Sequence, residues 1–343
     1  MSSWLVAMSG GVDSSVAAAL LRAEGHEVVG VTMKLWGGAS DTGCCSVADV
    51  DDARRVAQQL DIEHLVFNFT DDFNARVVDP YVDAHRRGRT PNPCIECNRH
   101  LKFDRLLVRA DALGFDGIAT GHHCRIAVRD SVRHVARGSD RAKDQSYVVH
   151  MLDQEQLERI RFPVGARTKH EVRRLASDLG LRTAAKPDSQ DVCFITSTGG
   201  RTAFLTDRMS TRPGTVVDAT GRVVGHVDAV ELVTVGQRRA LGGSGGAARR
   251  FVTNVDVDAA VVTVGDLGAL AVERLELEGL VWSGTPVTGD VLVQCSAHGS
   301  VHPARVRGNT VEWVAPQRRV APGQSVVLYD VDDEIVVGGG FAA

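Results

Sequence analysis

The chain has 343 residues, more than one ordinary hydrophobic core accommodates, so we expect two or three domains. Its 43% hydrophobic and 24% charged residues are typical of a water-soluble globular protein, and no stretch approaches the roughly 18 uncharged apolar residues of a membrane span. The formal net charge of −4 does not indicate a general nucleic-acid-binding protein, although an average can conceal local asymmetry. The start of the chain lacks the basic and apolar regions of a secretory signal, so we expect a cytoplasmic protein.

Short apolar runs alternate with amphipathic stretches over the first two-thirds of the chain. The predicted strands include WLVAM, EVVGVTM, EHLVFNF and FDGIATGHH, and the predicted helices include SVAAALLRAEG and DVDDARRVAQQLD. This alternation predicts an α/β domain with a doubly wound, mostly parallel sheet and helices on both faces. Gly25, Gly114 and Gly180 each close a helical run, as C-cap glycines do. In such folds ligands bind beyond the carboxyl ends of the strands.

The pattern changes near Gly199. From RPGTVVDATGRVVGHVD onward, short alternating runs and turns such as Asp218 to Gly221 predict a small β-rich domain, and GGSGGAARR at 242–250 has the composition of a mobile loop. After about Leu270, the runs VLVQCSA, TVEWVA, QSVVLYD and EIVVGGG recur at the spacing of a β-barrel or sandwich, and we predict a barrel. The predicted domains are 1–205, 206–270 and 271–343.

The segment MSGGVDSS, Met8 to Ser15, follows the first apolar run directly. A strand ending at Met8, a glycine-rich turn and a helix beginning near Ser14 form a cradle for phosphate, because unpaired amides at a helix N-terminus point into the turn. Ser9 and Ser14 add hydroxyls, Gly10 and Gly11 permit close approach, and Asp13 can position the loop or a magnesium ion. An ordinary capped turn explains Ser14 but not the whole string. No lysine follows the glycines, so this is not the GxxxxGK[ST] loop.

Charge and cysteine usage add two further observations. From Asp41 to Asp72 eight acidic residues face two arginines, whereas from Arg125 to Lys143 six basic residues face two aspartates. A second basic cluster brackets PNPCIECN and consists of Arg86, Arg87, Arg89, Arg99 and Lys102. On charge alone these runs are solvated faces. Seven cysteines in a long chain favour free thiols or metal ligands over a disulfide framework.

The string SGGVDSS resembles the pyrophosphate loop of ATP pyrophosphatases, a class that includes GMP, NAD, asparagine and argininosuccinate synthetases and tRNA thiolases. Further strings are more specific: GRTPNPCIECNRHLKFD, ATGHH, KDQSY, KPDSQDVCFI, VGQRRALG and PGQSVVLYD. Together they resemble the bacterial tRNA-uridine 2-sulfurtransferase family, also called tRNA-specific 2-thiouridylase, nearly end to end. The resemblance implies ATP-dependent 2-thiolation of the wobble uridine in tRNA anticodons, with ATP and Mg²⁺, in which the uridine oxygen is adenylated and AMP and pyrophosphate are released.

The same resemblance makes Cys97 the nucleophile and Cys193 the carrier of a persulfide. The chemistry supports two thiols independently, because replacing a carbonyl oxygen by sulfur needs a leaving group, here AMP, and a sulfur nucleophile. A persulfide delivers the sulfur, and a second thiolate cleaves the resulting disulfide or releases hydrosulfide. Arg99, Lys102 and Lys186 could lower the pKa values of these thiols. A persulfide donor, such as a cysteine desulfurase or a sulfur-relay protein, is the expected partner.

The resemblance also assigns contacts to nucleotide and RNA. The matched nucleotide-binding positions are Ala7, Met8, Ser9, Gly10, Gly11, Val12, Asp13, Ser14, Met33 and Gly121. The matched tRNA-binding positions are Asn92, Pro93, Cys94, His122, Lys143, Asp144, Gln145 and Gln324, with Asn92 to Cys94 at the target base. A wobble uridine in a single-stranded anticodon loop can be splayed out for chemistry. The segments around 86–102 and 125–143 are the candidate docking track for the RNA backbone.

The chain departs from the family pattern at Cys94, where many members have an aspartate that contacts the base or assists proton transfer, so that role is open here. Cys94 and Cys97 form a CxxC pair that, with Cys193, could hold a [4Fe–4S] cluster, although simple thiols are favoured. A zinc site using His122, His123 or Cys124 is less favoured because a second CxxC is missing. The family's Arg-Tyr contact with tRNA is not evident in CSAHGSVHPARV. The remaining cysteines are interpreted as structural or incidental: Cys44, Cys45, Cys124 and Cys295.

Two other functions compete with this interpretation. One is an amide- or amidine-forming synthetase with the same loop and ammonia as nucleophile, which leaves Cys97 and Cys193 without a role. The other is a non-enzymatic, nucleotide-sensing RNA-binding module. The thiolase hypothesis requires the folded chain to bring the thiols of Cys97 and Cys193 face to face beside the phosphate loop.

Overall fold

The computed structural model describes residues 1–36, 46–188, 192, 194–195, 200–241 and 250–343. The chain divides into two compact units. Unit 1 consists of Met1–Val77, Pro93–Thr198 and Asp332–Val337, and unit 2 of Val78–Asn92, Gly199–Val331 and Gly338–Ala343. No helix within the described ranges has the length and apolar character needed to cross a membrane.

The regular elements follow in chain order. The strands are β1 (Ser3–Ala7), β2 (Glu27–Lys34), β3 (Glu63–Asn68), β4 (Gly117–Thr120), β5 (Cys124–Arg129), β6 (Val132–Arg137), β7 (Ile160–Arg161), β8 (Gly214–Asp218), β9 (Val223–Val227), β10 (Phe251–Asp256), β11 (Val261–Gly265), β12 (Ala271–Trp282), β13 (Gly289–Gln294), β14 (His302–Arg307), β15 (Thr310–Arg318), β16 (Ser325–Tyr329) and β17 (Val336–Ala342). The α-helices are α1 (Val12–Ala23), α2 (Val47–Gln59), α3 (Thr70–Phe73), α4 (Asp79–Arg86), α5 (Pro93–Cys97), α6 (Leu106–Leu113), α7 (Gln154–Glu158), α8 (Lys169–Asp178) and α9 (Gly200–Thr206). The π-helical segments are Asn74–Val78 and Asn98–Arg105, and the 3₁₀ turns are Ser146–Val149, Val230–Leu232 and Gly268–Leu270.

Unit 1 is built on a five-stranded sheet in the order β3-β2-β1-β4-β7, in which all neighbouring strands are parallel. The central strand β1 is apolar and buried from Trp4 onward, as expected for a parallel strand covered on both faces. Val16 and Ala17 of α1 are fully buried in the same core. The predicted α/β fold with a parallel sheet is therefore confirmed.

The strand order reverses beside β1, because β2 lies on one side of it and β4 on the other. Ligands in open α/β sheets bind in the crevice outside the carboxyl ends of the strands at such a switch point. The segments that follow β1 and β4 are MSGGVDSS and GHH, so the topology brings these two strings to one edge of the sheet.

Helix α1 begins at Val12, two residues before the predicted start near Ser14. Gly11 is the N-cap residue in an extended conformation, with φ −94° and ψ 166°. The hydroxyls of Ser14 and Ser15 donate back to Gly11 O at 3.2 and 2.8 Å, so both serines lie inside the first turn. Gly25, Gly114 and Gly180 have positive φ after their helices, as predicted.

Two features of unit 1 have no counterpart among the predicted elements. The run of basic residues after 124 forms an antiparallel hairpin, β5–β6, whose Ala136 bridges to Ile335 near the end of the chain. The segment Asn98–Arg105, directly after Cys97, is π-helical, a geometry that is rare and often found at functional sites.

Unit 2 contains two β structures. One is a four-stranded sheet in the order β10-β11-β8-β9, whose buried side chains include Val216, Val252 and Val262. The turn from Asp218 to Gly221 joins β8 and β9, as predicted. The other is a closed barrel in the order β12-β15-β14-β13-β16-β17, which confirms the predicted β-barrel. The exact domain boundaries remain predictions, and the predicted loop at 242–250 lies outside the described residues except for Arg250.

Candidate active site

The phosphate loop, Met8–Ser15, occupies the carboxyl end of β1. Gly10 has φ +71°, and a Cβ there would clash with the backbone of Asp49 in α2, so this position requires glycine. The backbone N–H of Ser9 donates to Ser14 Oγ at 3.2 Å, which closes the loop on itself. In the described structure no side chain caps the N-terminus of α1. The first-turn amides of the helix are thus available to an anion.

Gly121 holds the loop after β4 against the phosphate loop. A Cβ at this position would lie 2.6 Å from Ser14 N and 2.7 Å from the carbonyl carbon of Asp13. Real Cβ atoms do not approach that closely, so any larger residue would push the two loops apart. Gly121, which was predicted as a nucleotide contact, therefore also sets the width of the crevice.

Asp13 is bonded to two residues that lie far from the loop in the sequence. Lys169 Nζ donates to both of its carboxylate oxygens, at 2.8 and 2.6 Å, and His123 Nε2 lies 2.9 Å from Oδ1. Burial would by itself raise the pKa of Asp13, but hydrogen bonds from His123 and Lys169 and the charge of Lys169 outweigh it and hold the pKa below its ordinary value. Asp13 is therefore a carboxylate at neutral pH, anchored to two residues distant in sequence.

Lys169 also reaches Asp188, whose Oδ1 is 2.9 Å from its Nζ. Asp188 also forms ion pairs with Lys143 at 2.9 Å and with Arg173 at 2.6 Å. Burial opposes ionisation of Asp188, yet hydrogen bonds from Lys169 and Lys143 lower its pKa to about 2. We call the five residues Asp13, Lys143, Lys169, Arg173 and Asp188 the ion cluster. Its three cations exceed its two carboxylates by one charge, which favours an anionic ligand nearby.

The described residues on both sides of Cys193 are firmly attached to unit 1. Lys186 donates to Asp49 and Asp52 of α2 at 2.6 and 2.7 Å, and although burial opposes it, these bonds raise the pKa of Lys186. On the other side, the Phe194 ring is buried, with its centroid 5.4 Å from Phe73 and 6.3 Å from Trp36. Cys193 itself lies outside the described residues, as do Cys44 and Cys45.

Cys97 ends α5 and is 7% exposed, and its neighbour Cys94 is half-buried. The following residue, Asn98, donates from Nδ2 to Val148 O at 2.8 Å, while its buried Oδ1 has no hydrogen-bond partner among the described residues. Further along the π-helical segment, Leu101 and Phe103 are fully buried. Among the cysteines that the structure describes, Cys124 and Cys295 carry free thiols. The predicted approach of the Cys97 and Cys193 thiols lies outside the described residues.

A hydrogen-bonded path joins the phosphate loop to the thiol helix, α5. His123, which contacts Asp13, donates its backbone N–H to Gln145 Oε1 at 2.8 Å and accepts from Gln145 N at 3.0 Å. Gln145 immediately precedes the 3₁₀ turn Ser146–Val149, and Val148 of this turn accepts the bond from Asn98. Residues of the strings ATGHH and KDQSY thus connect the phosphate loop to the helix that ends at Cys97.

The neighbouring residues of these strings are enclosed in protein. The carboxylate of Asp144 accepts from Arg137 at 2.8 Å and from Ser146 Oγ at 2.6 Å, and its side chain is only 5% exposed. His122 is buried against the rings of Phe103 and Phe162, with Nδ1 2.7 Å from Thr120 Oγ1. Burial, with a smaller contribution from the charge of Lys102, holds the pKa of His122 well below its ordinary value. His122 is therefore neutral at pH 7.

Most of the predicted nucleotide-binding residues lie close together in unit 1, whereas the predicted tRNA-binding residues are divided between the two units. Met33 lies at the end of β2, next to Thr32, whose hydroxyl donates to Met8 O at 2.8 Å. Asn92 and Gln324 belong to unit 2, where Gln324 Nε2 donates to Thr90 O. The other matched tRNA positions belong to unit 1: Pro93, Cys94, His122, Lys143, Asp144 and Gln145.

Part of the basic run 125–143 is neutralised within unit 1. Arg125 pairs with Glu334 at 3.1 Å, and Arg137 pairs with Asp333 at 2.7 Å. Arg141 also pairs with Glu334. The positive charge of this segment is thus partly compensated by the carboxylates of Asp333 and Glu334.

The described residues give no support to the alternative metal sites. No group of three His, Cys, Asp or Glu residues among them could hold a metal ion, and a three-cysteine cluster would require Cys193, which is not described. Burial raises the pKa of the Cys124 thiol well above its ordinary value and that of Cys295 to about 12. These two cysteines are therefore protonated and unreactive at neutral pH.

Sequence reasoning did not find several residues of this site. Lys169 follows the helix cap Thr168 in an ordinary capping box and has no local signal of its own. His123 was predicted only as a possible zinc ligand and Asp188 not at all, although both lie within the strings ATGHH and KPDSQDVCFI, where an ionisable side chain is the signal that marks them. Asn98 likewise follows Cys97 within ECN.

The fold and the site define the class first. Residues 2–197 match the model described as the tRNA methyl transferase HUP domain, residues 202–266 its PRC-barrel domain, and residues 274–342 the aminomethyltransferase beta-barrel domain. Together with the parallel sheet and the glycine-serine loop at its switch point, this makes unit 1 a nucleotide-binding domain of the HUP class.

Relatives that match the whole chain are more specific. The tRNA-specific 2-thiouridylase MnmA of Roseiflexus sp. (strain RS-1) is 43% identical over 99% of this chain and 99% of its own length. The protein of the same name from Mycolicibacterium gilvum (strain PYR-GCK) is 46% identical over 97% of each chain. The solved NAD synthetase from Campylobacter jejuni is only 18% identical, with a TM-score of 0.33 over 56% of this chain and 71% of its own. The chain belongs to the tRNA-specific 2-thiouridylase family.

Proposed function

We propose that this protein uses ATP to replace the C2 oxygen of the wobble uridine in a tRNA anticodon with sulfur. The observation that supports this most is the path from Asp13 through His123 and Gln145 to Asn98, which places a phosphate loop and the Cys97 helix on one hydrogen-bonded frame. A synthetase that used ammonia would need the loop but not the thiol.

The first half of the reaction is adenylation. The uridine O2 attacks the α-phosphorus of ATP, the bond to the bridging oxygen breaks, and pyrophosphate leaves with the electron pair. The uncapped amides of α1 and the surplus positive charge of the ion cluster stabilise the phosphates. The result is a uridine whose C2 carries AMP as a leaving group.

The second half transfers sulfur. The terminal sulfur of a persulfide on Cys193 attacks C2, and AMP leaves with the former uridine oxygen. The Cys97 thiolate then attacks the Cys193 sulfur, which releases 2-thiouridine and leaves a disulfide between the two cysteines. A dithiol reductant and a fresh persulfide donor reset the enzyme. In the alternative order, Cys97 first releases hydrosulfide, which attacks C2 with the same overall balance.

Neither Mg²⁺ nor an iron–sulfur cluster enters this mechanism as a protein-held group. The Lys169 ammonium occupies the side of Asp13 on which both oxygens could bind a metal ion and compensates the charge of this carboxylate, so the loop as folded does not fit a divalent ion held by both oxygens. The candidate cluster would need Cys193, which lies outside the described residues. We derive no step through either.

The matched tRNA positions take different parts in this proposal. Gln145 Oε1 is engaged by His123, so a contact with RNA would use its amide nitrogen. Lys143 is 43% exposed and can exchange Asp188 for an RNA phosphate. Asp144 and His122 are buried and hold neighbouring side chains in place, Asp144 through Arg137 and Ser146 and His122 through Thr120.

Mass analysis of tRNA after incubation with the protein, ATP and a persulfide source tests the function directly. We expect uridine to gain sulfur in exchange for oxygen, and Cys97→Ser and Cys193→Ser each to lower this rate about 10³-fold or more. Cys295→Ser, at the end of the barrel strand β13, is the matched control and should retain the rate. Full thiolation by both serine variants of the first pair would refute the sulfur-transfer proposal.

Pyrophosphate release separates the remaining alternatives. We expect release from ATP that depends on added tRNA and not on ammonia. Release that requires ammonia would favour the synthetase, and ATP binding without turnover would favour a nucleotide-sensing module.

A further inference from the structure

The phosphate loop lacks the lysine that other phosphate-binding loops carry in their own sequence, and a lysine reaches it from elsewhere. Lys169, at the start of α8, lies 156 residues beyond Asp13 in the chain, yet its ammonium is bonded to both Asp13 oxygens. The α1–α8 packing that delivers it buries Val172 and Ala176 of α8 in the same core as Val16 of α1.

The position of Lys169 is costly in two ways, which argues against an incidental contact. It is the first residue of α8, where the helix dipole disfavours a cation. Its side chain is also only 11% exposed, so the ammonium has lost most of its hydration. Asp13 and Asp188 offset these costs and hold the ammonium beside the loop.

The same geometry conflicts with a metal ion held by the loop aspartate. The ammonium occupies the coordination side of Asp13 on both oxygens, and His123 Nε2 occupies a further position on Oδ1. A divalent ion would have to displace Lys169 into a cluster that already carries a surplus positive charge.

We propose that Lys169 is the phosphate-contacting cation of the nucleotide site and stands where a metal ion held by Asp13 would otherwise bind. This inference rests on the proposed use of ATP. When ATP binds, the ammonium exchanges its bond with Asp188 for one with a phosphate oxygen, while Asp13 keeps it beside the loop. There it neutralises negative charge on pyrophosphate as it departs.

Titration of the nucleotide-free protein with Mn²⁺ tests the metal's exclusion without any measurement of activity. The wild-type protein should bind no Mn²⁺ through Asp13, so Asp13→Asn should leave its titration unchanged. Lys169→Met removes the cation that bonds both oxygens of Asp13 and should gain one Mn²⁺ per chain, and adding Asp13→Asn should remove that gain. Mn²⁺ binding by the wild type that Asp13→Asn abolishes would overturn the proposal, as would the absence of any gain in Lys169→Met.

Equilibrium binding of ATP tests the phosphate contact. Lys169→Met should weaken ATP binding about 10- to 100-fold, the size expected for a charge-assisted hydrogen bond, and Lys169→Arg should recover part of the loss. Arg174→Met removes a cation from the exposed face of the same helix and should leave binding unchanged. Circular dichroism establishes that each variant is folded.

The outcomes separate this inference from the proposed function. Unaltered ATP binding by folded Lys169→Met would overturn the role of Lys169 alone, because the assay contains neither tRNA nor sulfur. A wild-type protein that binds ATP as expected but never thiolates tRNA would overturn the proposed function alone.

Discussion

The phosphate loop and the thiol helix lie in the same unit but are held by different forces. Charged groups hold the loop: Asp13, Lys169 and Asp188 share short ion pairs around it. In the thiol helix and its π-helical extension, Ile95, Leu101 and Phe103 are fully buried. The polar contacts of this segment include two neutral hydrogen bonds, from Asn98 to Val148 O and from Gln156 to Phe103 O, and the ion pair of Arg105 with Asp72. The difference suits the two proposed tasks, because a site for phosphate needs compensating charge and a reacting thiol needs a fixed position.

The two regions also differ in how far apart in the sequence their contacting residues lie. The ion pairs of the loop join residues that are 156 positions apart, whereas the contacts of the thiol helix include a π-helical segment that follows Cys97 without a break. Loss of a buried side chain should therefore lower stability most on the thiol side, and loss of a charge should have its effect on the phosphate side. Four measurements sharpen or break this comparison.

The largest effect is expected on the thiol side. Phe103→Ala removes a fully buried ring that packs against His122 and Phe162, and should lower the free energy of unfolding by about 3–5 kcal/mol. Denaturant titration measures this value. Val108→Ala, an exposed position on α6, is the control and should change it little. Equal effects of the two substitutions would show that burial does not hold this side together.

A smaller effect is expected where the two loops meet. Gly121→Ala places a methyl group within 2.7 Å of the backbone at Asp13 and Ser14, and should raise the dissociation constant for ATP about 10-fold or more by displacing the phosphate loop. Gly268→Ala, whose nearest contact would be at an ordinary 3.4 Å, should leave ATP binding unchanged. Unaltered binding by Gly121→Ala would mean that the crevice tolerates a wider separation than the structure indicates.

Acid should reveal the charged character of the phosphate side. The folded pKa of Asp188, about 2, lies below its ordinary value of 3.8, so the stability it provides is present above about pH 4 and is lost as the pH falls toward 2. Asp188→Asn should therefore be less stable than the wild type at pH 7, and the two should converge as the pH falls through about 2. Thermal unfolding across this range measures the difference, and a difference independent of pH would contradict the assignment.

The smallest effect is expected for an ion pair away from both sites. Arg22 on α1 pairs with Asp61 at 3.4 Å, but Asp61 is 94% exposed. Arg22→Met should change the free energy of unfolding by less than about 0.5 kcal/mol, because solvent screens such pairs. A larger loss would show that surface charge contributes to stability in general, and that the ion cluster is not special in this respect.

Local patterns were sufficient for the parts of this protein that depend on neighbouring residues. The apolar run before Met8, the glycines and serines after it, and the alternating runs of the barrel predicted a strand, a phosphate loop and β structure, because hydrophobic periodicity and turn chemistry act over a few residues. Helix α1 begins at Val12, two residues before the predicted start near Ser14. Gly11 caps the helix through its backbone conformation, which side-chain patterns do not report.

The sequence by itself determined the class of chemistry: a glycine-serine loop that suits phosphate, and cysteine strings that suit sulfur transfer. Only the tertiary structure decided which residues serve that loop, since Lys169 and His123 approach Asp13 through the packing of α8 and the turn after β4. It also gave Asp144 and His122 buried positions that their polar side chains did not suggest. The physical reason is that ion pairs and burial depend on distances in space, which residues far apart in a sequence acquire only when the core assembles.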